Sequence, residues 1–296
     1  MADLGLHDLF NVNDMVFVIT GGGSGLGEWM ALALDRNGAS KVFILGRRPE
    51  ALERTAKKAA RHPLSRPHPL FLTIPEDLKA AAATIATQTP FVNAVVANAG
   101  LIGPVTSLPP RAADASIASI QAEFWALPEE ANQKTMDVNV MGVFHTFVAF
   151  LSLLDAGNTH EASRGRRDFI QSQFITVSSM AGLSRGEDVS YLYGAGKAAV
   201  VALTKKLSTG FAKMGIRVNS IAPGFYITEM TEFASNGEDW SVPGSLPKDT
   251  HAMTRSGSAQ DIAGAILFLT SKAGAYVNGN VLLSDGGQFG QGPMMY

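Results

Sequence analysis

Tyr193 and Lys197 stand four residues apart in the run YLYGAGKAAV. On a helix, that spacing sets a phenol and an ammonium group on one face about one turn apart. A free phenol titrates near ~10, so at neutral pH it can give a proton but hardly accepts one without help. At an effective dielectric of ~20, a cation ~4 Å away is worth about 4 kcal/mol, or roughly 3 pKa units. The pair can therefore act as an acid/base in which Lys197 tunes Tyr193. Tyr191 lacks such support, because four positions on stands Ala195; it reads as a pocket wall. Gly194 and Gly196 cost a helix about 1 kcal/mol each relative to alanine, which points to close approach by a cofactor or another helix.

A second chemistry is written in Thr20-Gly21-Gly22-Gly23-Ser24-Gly25-Leu26-Gly27, which follows the apolar run MVFVIT and precedes a helical stretch at 28–34. Glycines at a strand-to-helix junction allow a tight turn, close approach of backbone N–H groups to a pyrophosphate, and close helix packing. A dinucleotide fits there. The next apolar run, KVFIL, ends in Gly46-Arg47-Arg48, where an acidic side chain would bond the ribose hydroxyls of NAD and repel a 2′-phosphate. Arginine offers a planar charged fork suited to phosphate, so NADP(H) is favoured over NAD(H), with Arg47 the stronger candidate of the two.

These groups need a scaffold that brings distant segments together. Short β-branched and aliphatic runs recur at 15–20, 41–45, 91–97, 174–177, 217–221 and 281–284, with helix-length segments between them. The runs lack polar alternation, as strands buried on both faces do. The expected fold class is α/β: a Rossmann-like, doubly wound parallel sheet flanked by helices. No linker divides the chain, so residues 1–296 are expected to form a single NAD(P)-binding domain. Residues 61–69, 155–171 and 235–250 read as loops, the last within a substrate lid at about 225–255.

Further motifs follow in order: Asn98-Ala99-Gly100, Asn139 inside DVNVMG, Ser178-Ser179 after FITV, the Tyr193/Lys197 pair, Pro223-Gly224 after RVNSIA, and a closing LLSDGG. Together with the TGxxxGxG turn, this series resembles the short-chain dehydrogenase/reductase (SDR) family over roughly residues 14–287. The resemblance implies an oxidoreductase that moves hydride between a nicotinamide and a carbonyl or secondary alcohol. Tyr193 would protonate the carbonyl oxygen, Ser179 would hold that oxygen, and Lys197 would tune the phenol and bind the nicotinamide ribose. Asn139 would fix a water in the proton relay to the lysine. The cofactor residues so implied are Thr20, Gly21, Gly23, Ser24, Gly25, Leu26 and Gly27, then Arg47, Arg48, Asn98, Ala99 and Gly100, with Tyr193, Lys197, Pro223, Gly224 and Thr228.

Adjacent residues on a strand end face opposite ways, so only one of the two serines can face the site. Ser179 aligns with the second serine of the family's ISS pattern, although it lies fourteen residues before Tyr193, one more than usual. A one-residue insertion in GLSRGEDVS would explain that. Two other departures stand out: Ser24 occupies the place of a basic residue associated with NADP, and Thr73 that of an aspartate that contacts adenine. Members commonly form dimers or tetramers through the helices bearing Asn139 and Tyr193, which implies a homo-oligomer.

Composition narrows the alternatives. With 24 basic and 26 acidic residues, the formal charge of −2 excludes a phosphate-backbone binder, so no nucleic-acid partner is expected. The absence of cysteine removes disulfides and thiolate chemistry. The six histidines show no ligand spacing, so no metal is expected; His145 reads as a satisfied packing residue. The opening lacks the pattern of a secretory signal, and the apolar stretch at 140–154 is interrupted and falls short of the ~18–20 residues that cross a bilayer. No membrane contact is expected, and cytoplasmic residence is the default.

Phe225, Tyr226, Met230, Phe233, Trp240 and Met253 would make the lid apolar, so the small-molecule substrate is expected to be bulky and apolar. The competing function is a non-catalytic NAD(P)-binding sensor or scaffold, which has no need of Ser179. Segments 107–131 and 155–171 exceed the family's usual connections and receive no role.

Overall fold

The computed structural model describes residues 4–60, 72–105, 116–166, 169–186, 190–232, 235 and 237–291. Six strands, β1 (Val16–Thr20), β2 (Lys41–Leu45), β3 (Ala94–Ala97), β4 (Gln173–Val177), β5 (Arg217–Pro223) and β6 (Val281–Ser284), form one parallel sheet. Its order is β2-β1-β3-β4-β5-β6. Every residue of β1, β3, β4 and β5 is buried, which is why these strands carry no polar alternation.

The helices are α1 (Leu6–Phe10), α2 (Gly25–Arg36), α3 (Pro49–Lys57), α4 (Pro75–Ala86), α5 (Ile117–Ala126), α6 (Glu129–Met136), α7 (Gly142–Thr159), α8 (Glu161–Arg164), α9 (Tyr191–Gly210) and α10 (Ala259–Thr270). Side chains alternate across the strands, so each face of the sheet has its own core. Phe17 and Ile19 of β1 join Met30 and Leu34 of α2 and Ile262 and Ile266 of α10. Val16 and Val18 join Leu78 of α4, Phe147 and Phe150 of α7 and Val200 of α9 on the other face. The chain runs from β1 outward to β2, then returns to place β3 on the opposite side of β1. That reversal opens a crevice at the carboxyl ends of β1 and β3.

Two expectations need correction. Within 155–171, α7 continues through Thr159 and α8 follows at once, so much of this segment is helical. Gly157 is no turn signal: a Cβ there would strike the Val92 carbonyl, so the glycine lets α7 lie close against the sheet. Glu129–Thr159 is one continuous helix of 31 residues, long and apolar enough by length and composition to cross a membrane, where the interrupted 140–154 run predicted none. Here Val143, Phe147, Phe150 and Leu154 of that helix are buried on the sheet. In 107–131, α5 and the start of α6 account for much of the stretch, and a reciprocal Ser116–Ser119 capping box starts α5. Residues 61–69 lie outside the described residues.

Candidate active site

A cleft of about 500 Å³ opens at the carboxyl ends of the strands. Its walls include Gly21, Gly23, Ser24, Gly25 and Leu26 from the β1–α2 turn, Arg47 and Arg48 after β2, and Asn98, Ala99 and Gly100 after β3. Ser179, Tyr193, Lys197, Pro223, Gly224 and Thr228 complete the set that the sequence analysis singled out. Thr20, Gly27 and Asn139 stand behind the walls. Thr20 Oγ1 accepts from the Asn98 and Ala99 N–H groups at 3.1 and 3.2 Å, while Asn98 Nδ2 donates to the Thr20 carbonyl at 3.0 Å. These bonds tie the ends of β1 and β3 together.

The glycine turn fits a dinucleotide. Gly21 and Gly25 hold φ of +69° and +54°, conformations that other residues rarely adopt. Ser24 caps α2 with extended backbone and makes no side-chain capping bond. The first-turn N–H groups of α2, which like those of any helix have no intrahelical partner, are thus left without that cap and favour an anion such as a pyrophosphate. A Cβ on Gly27 would strike the Gly21 carbonyl, so this glycine permits the close packing of α2 on the turn. Gly100 leaves the floor open: a Cβ there would stand 3.1 Å from Asn139 Oδ1 and 3.3 Å from Lys197 Nζ.

Ser179 follows β4 and starts a 3₁₀ turn at Met180–Gly182, where its Oγ accepts from the Ala181 N–H at 3.1 Å. Its hydroxyl acts to lower the Tyr193 pKa, and both residues line the cleft. The neighbouring Ser178 Oγ is occupied inside the sheet, donating to the Ile221 carbonyl at 3.4 Å and accepting from Ser220 at 3.0 Å. Lys197 Nζ lies 5.6 Å from the centre of the Tyr193 ring and donates to the Val177 carbonyl at 2.8 Å.

The direction of tuning differs from the expected one. Burial raises the Tyr193 phenol above its ordinary value, opposed by the Ser179 hydrogen bond. Lys197 is itself brought down to about 8 by burial. The ammonium is anchored on the Val177 carbonyl 5.6 Å from the ring centre, and burial is the largest influence on the phenol. Because Lys197 releases its proton near 8 when folded and near ~10.4 when unfolded, the unfolded chain holds more protons between those limits. Stability therefore rises with pH across that window. In cofactor-free protein, the unfolding free energy of wild type relative to Lys197→Met should gain on the order of 2 kcal/mol from pH 7 to pH 9.5. Urea titrations at the two pH values measure it, and a flat difference refutes it.

Asn139 is fully buried. Its Oδ1 accepts from the Leu101 N–H at 2.9 Å and its Nδ2 donates to the Leu101 carbonyl at 2.7 Å. The amide thus holds the strand-end segment that follows Gly100, with one bond at each end. Asn139 sits in a π-helical segment, Asp137–Met141, between α6 and α7. Gly196 packs against this region, with Asn139 and Met136 near its missing Cβ, so another helix is what approaches α9 there.

Other residues fall in unexpected places. Tyr191 is half exposed, stacks edge-on against Phe124 at 5.7 Å, and lines a smaller pocket of about 190 Å³ with Pro104, Leu127 and Asn132 rather than the main cleft. His145 Nδ1 has no hydrogen-bond partner, so its packing is not polar-satisfied. In the lid, Tyr226 and Met230 line the cleft, while Phe225 packs on Trp240 and His251 at 5.9 and 5.8 Å. Phe233 lies outside the described residues, as do 187–189 of the GLSRGEDVS stretch that would carry the insertion before Tyr193. Leu101, Ile102, Val138 and Glu229 also line the cleft, though none was singled out by residue, and Glu229 falls within the expected lid. Leu101 and Ile102 directly follow the Asn-Ala-Gly motif and Glu229 follows Thr228, so adjacency to a motif was the available signal. Thr73 lines the cleft where the family's aspartate would stand.

The sequence pattern of the short chain dehydrogenase family matches residues 15–239. The short-chain dehydrogenase/reductase PhomF of Diaporthe leptostromiformis is 38% identical over 291 residues, covering 98% of this chain and 96% of that protein. VdtF of Byssochlamys spectabilis, also called a short-chain dehydrogenase/reductase, is 37% identical, with 97% of each covered. Among solved structures, the Pseudomonas aeruginosa RhlG/NADP active-site complex superposes with a TM-score of 0.77 at 28% identity, covering 96% of this chain and 100% of that one.

Proposed function

The chain belongs to the short-chain dehydrogenase/reductase family, and from that premise we propose that it is an NADP(H)-dependent oxidoreductase that interconverts a bulky apolar carbonyl compound and its secondary alcohol. The observation that carries this reading is the Ser179–Tyr193–Lys197 cluster on the wall of the glycine-lined cleft. A bound nicotinamide supplies or takes the hydride. Everything else falls to the chain. Ser179 and Tyr193, which line the same cleft, offer two hydroxyl donors to a single substrate oxygen. Donors fixed in advance stabilise the negative charge that builds there without reorganising. Tyr193 then gives its proton to that oxygen. Its raised affinity for the proton keeps it loaded at neutral pH, and the Lys197 ammonium on the ring face stabilises the phenolate left behind. Asn139 keeps the Leu101 segment in place as the opposite wall.

Support for the phosphorylated cofactor comes from Arg47 and Arg48 at the end of β2 and from the NADP held by the RhlG relative. Support for an apolar substrate comes from Leu101, Ile102, Val138, Tyr226 and Met230 around the reacting end. The test is oxidation of NADPH and NADH by the purified protein against a panel running from polycyclic and aromatic ketones to small sugars. Turnover of the bulky ketones with NADPH is expected. Faster reduction of small polar carbonyls removes the substrate assignment, and tight NADPH binding without turnover of any carbonyl favours the sensor or scaffold reading instead.

A further inference from the structure

The adenosine end of the cleft holds a group of donors already gathered around an anion. Arg48 Nη2 donates to Glu229 Oε2 at 2.6 Å and to Ser24 Oγ at 3.1 Å. Arg54 Nη2, one and a half turns along α3, reaches Glu229 Oε1 at 3.4 Å. The Ser24 hydroxyl also helps to hold the Glu229 carboxyl below its ordinary range. Two guanidinium groups thus converge on one carboxylate, brought in by the segment that follows β5, and the Ser24 hydroxyl is bonded to one of them. The contact spans the cleft: Thr228, just before Glu229, comes within van der Waals reach of Gly25, with its Cβ 3.1 Å from where a Gly25 Cβ would stand.

Building on the NADP(H) reading above, we propose that Arg48, Arg54 and Ser24 form the seat of the cofactor's 2′-phosphate and that Glu229 fills this seat until the phosphate displaces it. A phosphate monoester brings up to three oxygens and a charge near −2, which matches three donors better than a carboxylate does. Both ion pairs are largely exposed, with side-chain accessibilities of 59% for each arginine and 44% for Glu229, so they are weakly held and easily exchanged. The carboxyl is held below its ordinary range mainly by the Arg48 hydrogen bond, so it stays an anion at neutral pH and repels an arriving phosphate. The ribose hydroxyls of NAD(H) carry no such charge and leave Glu229 where it is. Glu229 is therefore a residue that sets cofactor discrimination, and Arg54 a phosphate ligand that lies beyond the Arg-Arg pair at the end of β2.

The test is equilibrium binding at low salt of four probes, NADPH, NADH, 2′,5′-ADP and 5′-ADP, to wild type, Glu229→Gln and Arg54→Met. Glu229→Gln should tighten NADPH and 2′,5′-ADP by about three- to fivefold and leave NADH and 5′-ADP within twofold. Arg54→Met should weaken the two phosphorylated probes by a similar factor and spare the others. Equal shifts for all four probes, or no shift for any, overturn the inference. Wild type that binds NADH more tightly than NADPH would overturn the cofactor reading instead. Even then, a Glu229→Gln shift confined to the 2′-phosphorylated probes would uphold the seat.

Discussion

Replacing Tyr193 with phenylalanine is expected to lower carbonyl reduction by about 10²–10⁴-fold while leaving cofactor affinity within a few-fold of wild type. The ring stays in its half-buried place, and Lys197 keeps both its position over the ring and its bond to the Val177 carbonyl. The glycine turn is untouched. What disappears is the proton and one of two donors aimed at the substrate oxygen, since Ser179 alone remains. Ser179 carries an aliphatic hydroxyl, a far weaker acid than a phenol, so it is a poor substitute as the proton donor. Steady-state kinetics and a fluorescence titration with NADPH separate the two effects. Undiminished turnover in the variant would mean that the proton comes from elsewhere and that the cluster has been misread.

Gly27→Ala is expected to cost about 10- to 100-fold in NADPH affinity and about 1–3 kcal/mol in stability. The added methyl would collide with the Gly21 carbonyl and with the Asn98 side-chain amide. Neither can retreat cheaply, because Asn98 Nδ2 bonds the Thr20 and Gly21 carbonyls at 3.0 and 3.3 Å. Relief therefore means tilting α2 away from β1, which also moves the N–H groups proposed to meet the pyrophosphate. Gly264→Ala in α10 is the control, since nothing lies within 4 Å of its missing Cβ. That change should be neutral or mildly stabilising. Thermal unfolding and NADPH titration of both variants decide the matter, and equal behaviour of the two would remove the close-packing role of Gly27.

Much of the architecture is legible in the chain because the sheet is parallel and buried. All six strands fall inside or within two residues of the apolar runs, with β3 at the end of its run, Ala94–Ala97 out of 91–97. The cleft residues were legible where chemistry fixes the residue type: glycine at positive φ, a phenol with an ammonium one turn away, and a serine at a strand end. What stayed hidden depends on tertiary neighbours. Gly157 and Asn158 look like a turn, but Asn158 bonds the Gly215 carbonyl and the Ser172 N–H from within a helix. The direction in which Tyr193 is shifted depends on depth and on where the Lys197 ammonium is anchored, and spacing along a helix fixes neither. Glu229 meets Arg48 across 181 positions of sequence, and no local pattern announces that contact.

The wider turn at Asp137–Met141 takes up one residue more than an α-turn, so the rod before it is rotated by about 100° relative to the rod after it. A straight helix of this length could offer only one stripe to its surroundings. The offset lets a single unbroken rod present grease to the sheet along its later half and an amide to the Leu101 main chain at its middle. Excising one residue there would bring the two halves into phase and swing that amide off its partner, leaving the hydrophobic seam intact while the rim of the cleft came loose.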